Sequence, residues 1–340
     1  MASAWINIVI LVGTLLHCHI GITKAWLDIG VNYGMVGDNL PSPATVVQLF
    51  KKYNIGKMRL FDPNPVVLNA LRGSGIDVTL GVKNQDLQTI ASSVDAAKTW
   101  FDTNVQPYMS KVTIRYISAG NEVVPGDLAQ YVLPAMENLQ IVLNHYKYTG
   151  VKVSTAVAMG TLGSSYPPSS GAFSNEARAD MVGIIKFLSN TKSTLLVNVY
   201  PYFAYASDPT HVKLDYAQFT APGPVVKDGD LSYSNLLDAM VDAFYWAMEK
   251  EGVSSVDVVV SETGWPSAGN GVFTTPQLAQ TYNQNFVKKV LAKRGTPKRP
   301  GHYLEGFIFA MFNEDQKPPG VERNWGLFYP DGTPVYHVFS

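Results

Sequence analysis

Residues Val256 to Pro266 read Val-Asp-Val-Val-Val-Ser-Glu-Thr-Gly-Trp-Pro. A short apolar run stops on one acid, Glu262, with turn residues and a tryptophan directly after it. Ile114 to Glu122 has the same design, Ile-Arg-Tyr-Ile-Ser-Ala-Gly-Asn-Glu, and ends on Glu122. A pair of strand-end glutamates with polar or aromatic neighbours is the equipment for cleaving a glycosidic bond. One acid protonates the leaving oxygen while the other acts as nucleophile or base. Like charges sharing a poorly hydrated site push one proton affinity up, which lets two identical side chains take different roles.

The elements that must position these acids repeat along the chain. Apolar or β-branched runs fall at Leu27–Tyr33, Lys57–Asp62, Asp77–Val82, Ile114–Glu122, Lys152–Met159, Leu195–Phe203, Val256–Glu262 and Gly306–Asn313. Several are apolar at consecutive positions, which suits strands buried on both faces. Between them lie helix-patterned segments at Thr45–Tyr53, Val66–Arg72, Ala91–Tyr108, Leu128–Tyr148, Asp180–Asn190, Ser232–Lys250 and Thr274–Lys293. Ser42-Pro43 and Thr275-Pro276 mark helix starts. Strand followed by helix, eight times over, predicts an α/β fold, a (β/α)₈ TIM barrel. An open doubly wound sheet is the alternative, but no Gly-x-Gly-x-x-Gly follows the first run. Two insertions, Gly160–Ala179 and Tyr202–Asp230, follow strands and belong on the face where a barrel's active site forms. The second, after the sixth strand, is expected to be a small subdomain or a cleft wall.

Closure would bring Asp62, Glu122, Glu262 and Glu314 to one mouth. A single strand-end carboxylate is more often a capping or ion-pairing residue; four around one rim favour catalysis. Tyr33, Tyr200, Tyr202, Phe203, Trp265 and Phe312 stand at or just past strand ends. They either stack on the apolar faces of sugars or cap the core. Sugar contact is the preferred reading for Tyr33 and Trp265, and both readings stand for Phe203 and Phe312.

The 340 residues are 46% hydrophobic and 16% charged, which describes a folded globule with a large core. A net charge of -1 asks for neither nucleic acid nor an anionic membrane as partner. Trp5–Leu16 is a predominantly apolar stretch too short to span a bilayer, and Thr23-Lys-Ala25 offers a small-residue cleavage site. Residues 1–25 are therefore expected to be a signal peptide, and 26–340 a single catalytic barrel. The only cysteine, Cys18, would leave with that segment, so the mature chain would hold no thiol. No Asn-x-Ser/Thr sequon occurs, and Tyr336-His-Val-Phe-Ser340, with no Ser/Pro linker and no hydrophobic tail, leads to the expectation of no second module and no lipid anchor. His145, His211, His302 and His337 are isolated, so neither metal nor cofactor is expected. Lys288, Lys289, Lys293, Arg294, Lys298 and Arg299 form a basic cluster expected to be a solvated face.

Five segments together carry a specific resemblance. Ile29-Gly-Val-Asn-Tyr-Gly34, Met58-Arg-Leu-Phe-Asp62, Ala119-Gly-Asn-Glu122, Val260-Ser-Glu-Thr-Gly-Trp-Pro-Ser267 and Phe312-Asn-Glu-Asp-Gln-Lys317 resemble plant endo-1,3-β-glucanases of glycoside hydrolase family 17. The likeness runs from about Leu27 to the end. It implies Glu122 as general acid/base and Glu262 as nucleophile of a retaining mechanism. It also implies that Asn121 contacts a sugar 2-hydroxyl and that Tyr200 orients Glu262. Glu314, Lys317 and Glu322 would surround the site, tuning protonation and gripping hydroxyls. Asn32, where many relatives have cysteine, and Trp325, where phenylalanine is usual, are departures. The function implied is a secreted, monomeric hydrolase cutting internal bonds of 1,3-β-glucan. A mixed-linkage 1,3;1,4-β-glucanase, a glucan transglycosylase on the same scaffold and a non-catalytic glucan-binding protein remain open.

Overall fold

The computed structural model describes residues 25–339. All of the expected signal peptide except Ala25, and Cys18 with it, lies outside the described residues.

In chain order the elements are β1 (Leu27–Asn32), α1 (Pro43–Lys52), β2 (Ile55–Leu60), α2 (Pro65–Ala70) and β3 (Asp77–Val82). Then come α3 (Leu87–Ser92), α4 (Val94–Asn104), β4 (Thr113–Asn121), α5 (Ala129–His145) and β5 (Lys152–Ala158). A hairpin of β6 (Leu162–Ser164) and β7 (Ala172–Phe173) precedes α6 (Asn175–Thr191) and β8 (Thr194–Asn198). After α7 (Pro201–Ser207) and α8 (Leu214–Ala217), a second hairpin pairs β9 (Val226–Asp228) with β10 (Leu231–Tyr233). The chain closes with α9 (Leu236–Lys250), β11 (Asp257–Thr263), α10 (Pro276–Leu291) and β12 (Gly306–Ile308).

Eight strands form a closed parallel barrel in the order β1-β12-β11-β8-β5-β4-β3-β2, the (β/α)₈ barrel that the repeat predicted. Its interior is filled by side chains from several strands, among them Tyr116, Ala156, Leu196, Val259 and Phe307. Gly30 on β1 makes room for one of them, since a Cβ there would collide with the Phe307 ring. The outward strand faces pack with the helices into the main core, where Ile29, Val78, Ile117, Val153 and Val258 are buried. The helix starts read from the sequence hold: Ser42 Oγ accepts from Thr45 N at 3.3 Å, and Thr275 Oγ1 from Leu278 N at 3.2 Å, with proline at N1.

Several expected elements are redrawn. The segment predicted as one helix over Ala91–Tyr108 is two, because Ser93 adopts an extended backbone and caps α4 through Ala96 N at 3.1 Å. The sixth strand stops at Asn198 rather than reaching Phe203: Pro201 cannot donate to a ladder and instead starts α7. The eighth strand is short, but parallel pairing continues beyond it through Phe309 N to Thr263 O (2.7 Å) and Met311 N to Asn32 O (2.8 Å). The basic cluster is not simply solvated. Lys289 pairs with Asp238 (2.9 Å), and Lys298 and Arg299 share Glu249 (2.7 and 2.9 Å), so the loop before β12 is fastened along α9.

The two insertions meet each other at the barrel mouth. Asp228 on β9 accepts hydrogen bonds from Ser169 N and Ser169 Oγ, both at 2.6 Å. The first insertion, with its β6–β7 hairpin, is thus fastened to the end of the second, which carries most of α7, then α8 and β9, and together they form a wall of the mouth.

Candidate active site

Glu262 lies one residue from the end of β11, and its side chain points into the barrel mouth. Both of its oxygens accept: Oε1 from Arg59 Nη1 at 2.5 Å and Oε2 from the Tyr200 hydroxyl at 2.7 Å. Arg59, on β2, is only 2% exposed. A buried guanidinium needs acceptors on every side, and it finds a second in Asn121 Oδ1, 2.7 Å from Nη2. Burial and the neighbouring Glu262 charge hold the Tyr200 phenol far above its ordinary range, so it stays a hydrogen-bond donor.

Glu122 immediately follows β4. Its backbone is left-handed (φ 54), a conformation costing about 1–2 kcal/mol for a side chain of this type. That conformation is held by a bond from Glu122 N to Ala156 O at 2.8 Å, and it turns the side chain off the strand toward the cleft. Although the residue opens on the cleft, partial burial of its carboxyl is the first cause of a raised pKa, and the charge of Glu262 is the second. Asn198 opposes the rise by donating from Nδ2 to Glu122 Oε1 at 2.7 Å. The two acids therefore sit in contrasting surroundings: Glu262 takes hydrogen bonds on both oxygens, one from a cation, while Glu122 is biased toward holding its proton.

Glu262 is also where two hollows meet. The larger, about 830 Å³, runs from Glu122, Asn198 and Tyr200 past Phe203, Glu322 and Trp325. The smaller, about 320 Å³, is walled by Asn121, Asp62, Phe309, Glu314 and Lys317. Glu314 accepts from Val36 N at 2.8 Å and pairs with Lys317 at 3.1 Å. It lies against Gly34, where a Cβ would come within 2.5 Å of both carboxylate oxygens. Lys317 Nζ stands 4.2 Å from the Phe309 ring centre. The two hollows share Glu262 and Phe309 in their linings, so Glu262 is reached from both sides of the mouth.

Glu122, Asn121, Tyr200, Glu262, Glu314, Lys317 and Glu322 all come to these hollows, as does Asp62. Two expected sugar contacts do not hold. Trp265 is 0% exposed: the chain turns after Thr263 and folds the indole among Tyr202, Tyr205 and Tyr282, with Nε1 donating to Phe273 O at 2.9 Å. Trp265 is a core residue. Tyr33 borders the smaller hollow but is 2% exposed, edge-on to the buried Phe312, so neither ring is free to stack on a sugar. The open aromatic is Phe203, 47% exposed and packed against Tyr200 and Trp325.

Reading by strand ends misses Arg59 and Asn198. Their signal is nonetheless present: an arginine and an asparagine inside otherwise apolar strand runs must be buried and therefore partnered.

Among the described residues no group of three or more His, Cys, Asp or Glu side chains is arranged to hold a metal ion. No described helix is long and apolar enough to cross a membrane.

A family model described as glycosyl hydrolases family 17 matches residues 29–339. A probable glucan endo-1,3-beta-glucosidase of Arabidopsis thaliana is 53% identical over 321 residues, covering 94% of this chain and 93% of the relative. Glucan endo-1,3-beta-glucosidase B of Solanum lycopersicum is 46% identical, covering 99% and 94%. Among solved structures, a beta-1,3-glucanase and allergen of Cryptomeria japonica pollen superposes with a TM-score of 0.88 at 48% identity, covering 92% of this chain and 99% of that one. A structure from a study of two plant beta-glucan endohydrolases with distinct substrate specificities also reaches 0.88, at 47% identity and 92% and 100% coverage.

Proposed function

This chain belongs to glycosyl hydrolase family 17 and is a glycoside hydrolase, and from that premise we propose that it cuts internal 1,3-β-glucosidic bonds with retention of configuration. One observation carries the reading: two hollows at the barrel mouth are both lined by Glu262, with Glu122 on the wall of the larger. We read the two hollows as lobes of one cleft on either side of Glu262, which would take sugar units on both sides of the bond to be cut, as internal cleavage of a polysaccharide needs. The 1,3-β linkage is supported by the names of the relatives at 46–53% identity.

In this reading a glucosyl unit occupies the smaller lobe, where Glu314, Lys317 and Asn121 offer polar partners to its hydroxyls. Glu262 attacks the anomeric carbon as Glu122 passes its proton to the departing oxygen, so the leaving chain departs neutral. Arg59 and the Tyr200 hydroxyl aim the attacking carboxylate. Water then enters, gives its proton to the now ionised Glu122, and releases the glucosyl unit from Glu262. The larger lobe holds the leaving chain, with Phe203 as its open apolar face. The leader expected at residues 1–25 makes export the accompanying proposal.

The test is direct. Glu122→Gln and Glu262→Ala should each abolish release of reducing ends from a soluble 1,3-β-glucan while the circular-dichroism spectrum stays native. Activity near the parent level in either variant overturns the assignment. Since a similar barrel comes from a study of two plant beta-glucan endohydrolases with distinct substrate specificities, product analysis on 1,3- and mixed-linkage glucans side by side decides the linkage. Following the anomeric proton of the first product decides retention.

A further inference from the structure

The acid's surroundings are fixed by a chain of donors that starts at Arg59. A guanidinium only donates, so Asn121 must present Oδ1 to Arg59 Nη2 (2.7 Å). That oxygen also takes a bond from Asn198 Nδ2 at 3.1 Å, which forces the Asn198 amide to turn its nitrogen toward the site. The second N–H of the same nitrogen reaches Glu122 Oε1 at 2.7 Å. On its other side Asn198 Oδ1 accepts the Ser261 hydroxyl at 2.7 Å. Asn198 and Ser261 are buried, so no water competes for these positions. Every orientation in the series follows from the one before, and none is reversible while Arg59 is in place.

We propose that Ser261 and Asn198 are positioning residues for the acid: by reserving Glu122 Oε1 as an acceptor, they place the catalytic proton on Oε2. A protonated Oε1 would be a poorer acceptor for the Asn198 N–H than the carbonyl oxygen it is when the proton sits on Oε2, so this bond favours the proton on Oε2. Oε2 has no hydrogen-bond partner among the described residues and is the oxygen free to meet the glycosidic oxygen in the larger lobe. The same N–H bond supports the ionised form that Glu122 must take between the two halves of the reaction. It works there with the cation of Arg59 and against the charges of Glu262 and Glu322 and the burial of the carboxyl; Tyr200 faces this cluster as a neutral phenol. Ser261 directly precedes the proposed nucleophile, so one short strand end aims Glu262 and, through Asn198, Glu122 as well.

This inference rests on Glu122 being the acid, and the experiment separates the two. Hydrolysis of a soluble 1,3-β-glucan is followed against pH, as kcat/KM, for the parent, Ser261→Ala and Asn198→Ala, with Glu122→Gln alongside. Losing the N–H donor makes ionised Glu122 less favourable. The alkaline limb should move to higher pH by about half a unit or more in Asn198→Ala, and in the same direction but less in Ser261→Ala. KM should change little while kcat falls about tenfold in Asn198→Ala. Should Asn198→Ala fail to fold, the limb of Ser261→Ala decides, since it removes one buried hydroxyl and no volume that the barrel needs. An unmoved limb in the folded variants, beside an inactive Glu122→Gln, overturns the relay and leaves the acid assignment standing. A Glu122→Gln variant with parent-level activity overturns the assignment itself.

Discussion

At the scale of single residues, chemistry depends on what each side chain is denied. Glu262 is largely buried, opens only on the two hollows and is given two donors; Glu122 is given one donor and a neighbouring negative charge. Both acids are legible in the sequence as strand-end carboxylates. Their different surroundings come only from partners on other strands. Trp265 shows the reverse case, an aromatic whose place in the sequence points to the mouth but whose indole turns into the core. Trp265→Phe should therefore leave KM for long glucan chains unchanged. It should lower stability by about 1–2 kcal/mol, from the lost bond to Phe273 O and the smaller ring. Thermal unfolding and steady-state kinetics on one preparation check both halves; a severalfold rise in KM with unchanged melting would restore the sugar-contact reading.

At the scale of elements, the site is assembled from strand ends and the loops that leave them. The loop after β1 and the segment after β12 come together at Glu314, whose carboxylate rests on the bare Cα of Gly34 while Val36 N and Lys317 hold its oxygens. Gly34→Ala would push a methyl group to within 2.5 Å of both oxygens and displace Glu314 from its partners. A loss of about 100-fold in kcat/KM is expected if Glu314 grips the substrate, together with a lower melting temperature, because the buried carboxylate loses its partners. Parent-like kinetics in Gly34→Ala would show that Glu314 does not grip the substrate. Element boundaries are the least legible feature. The run from Leu195 to Phe203 is largely apolar and predicts a strand through Pro201, and only the helix that Pro201 opens shows where the ladder ends.

At the scale of the whole molecule, the barrel carries a buried acid far from its chemistry. Asp242 on α9 is fully buried; Lys298 N donates to its Oδ2 at 2.9 Å and its Oδ1 has no partner. Burial raises its pKa from the ordinary 3.8 to about 6. The folded chain thus holds this proton more tightly than the unfolded chain. Its contribution to stability is complete below pH 3.8 and is lost as pH rises through about 6, a change of up to about 3 kcal/mol. Asp242→Asn should accordingly melt several degrees above the parent at pH 7.5 and alongside it at pH 3, with activity unchanged. Equal melting temperatures at pH 7.5 would mean that the carboxylate is adequately solvated in the fold.

The eightfold rhythm, the two strand-end glutamates and the capped helix starts were all determined by the sequence alone, because apolar periodicity, proline and serine act over a few residues. Local pattern also marked the insertions as parts of the mouth. Tertiary structure alone decided that Arg59, on β2, binds an acid on β11, that Asn198 reaches Glu122, and that Trp265 and Tyr33 are packed away. Those outcomes depend on which way a side chain turns once eight strands have closed into a barrel. Closure brings residues more than 200 positions apart within hydrogen-bonding distance, and no local pattern encodes which donor will find which acceptor across the ring.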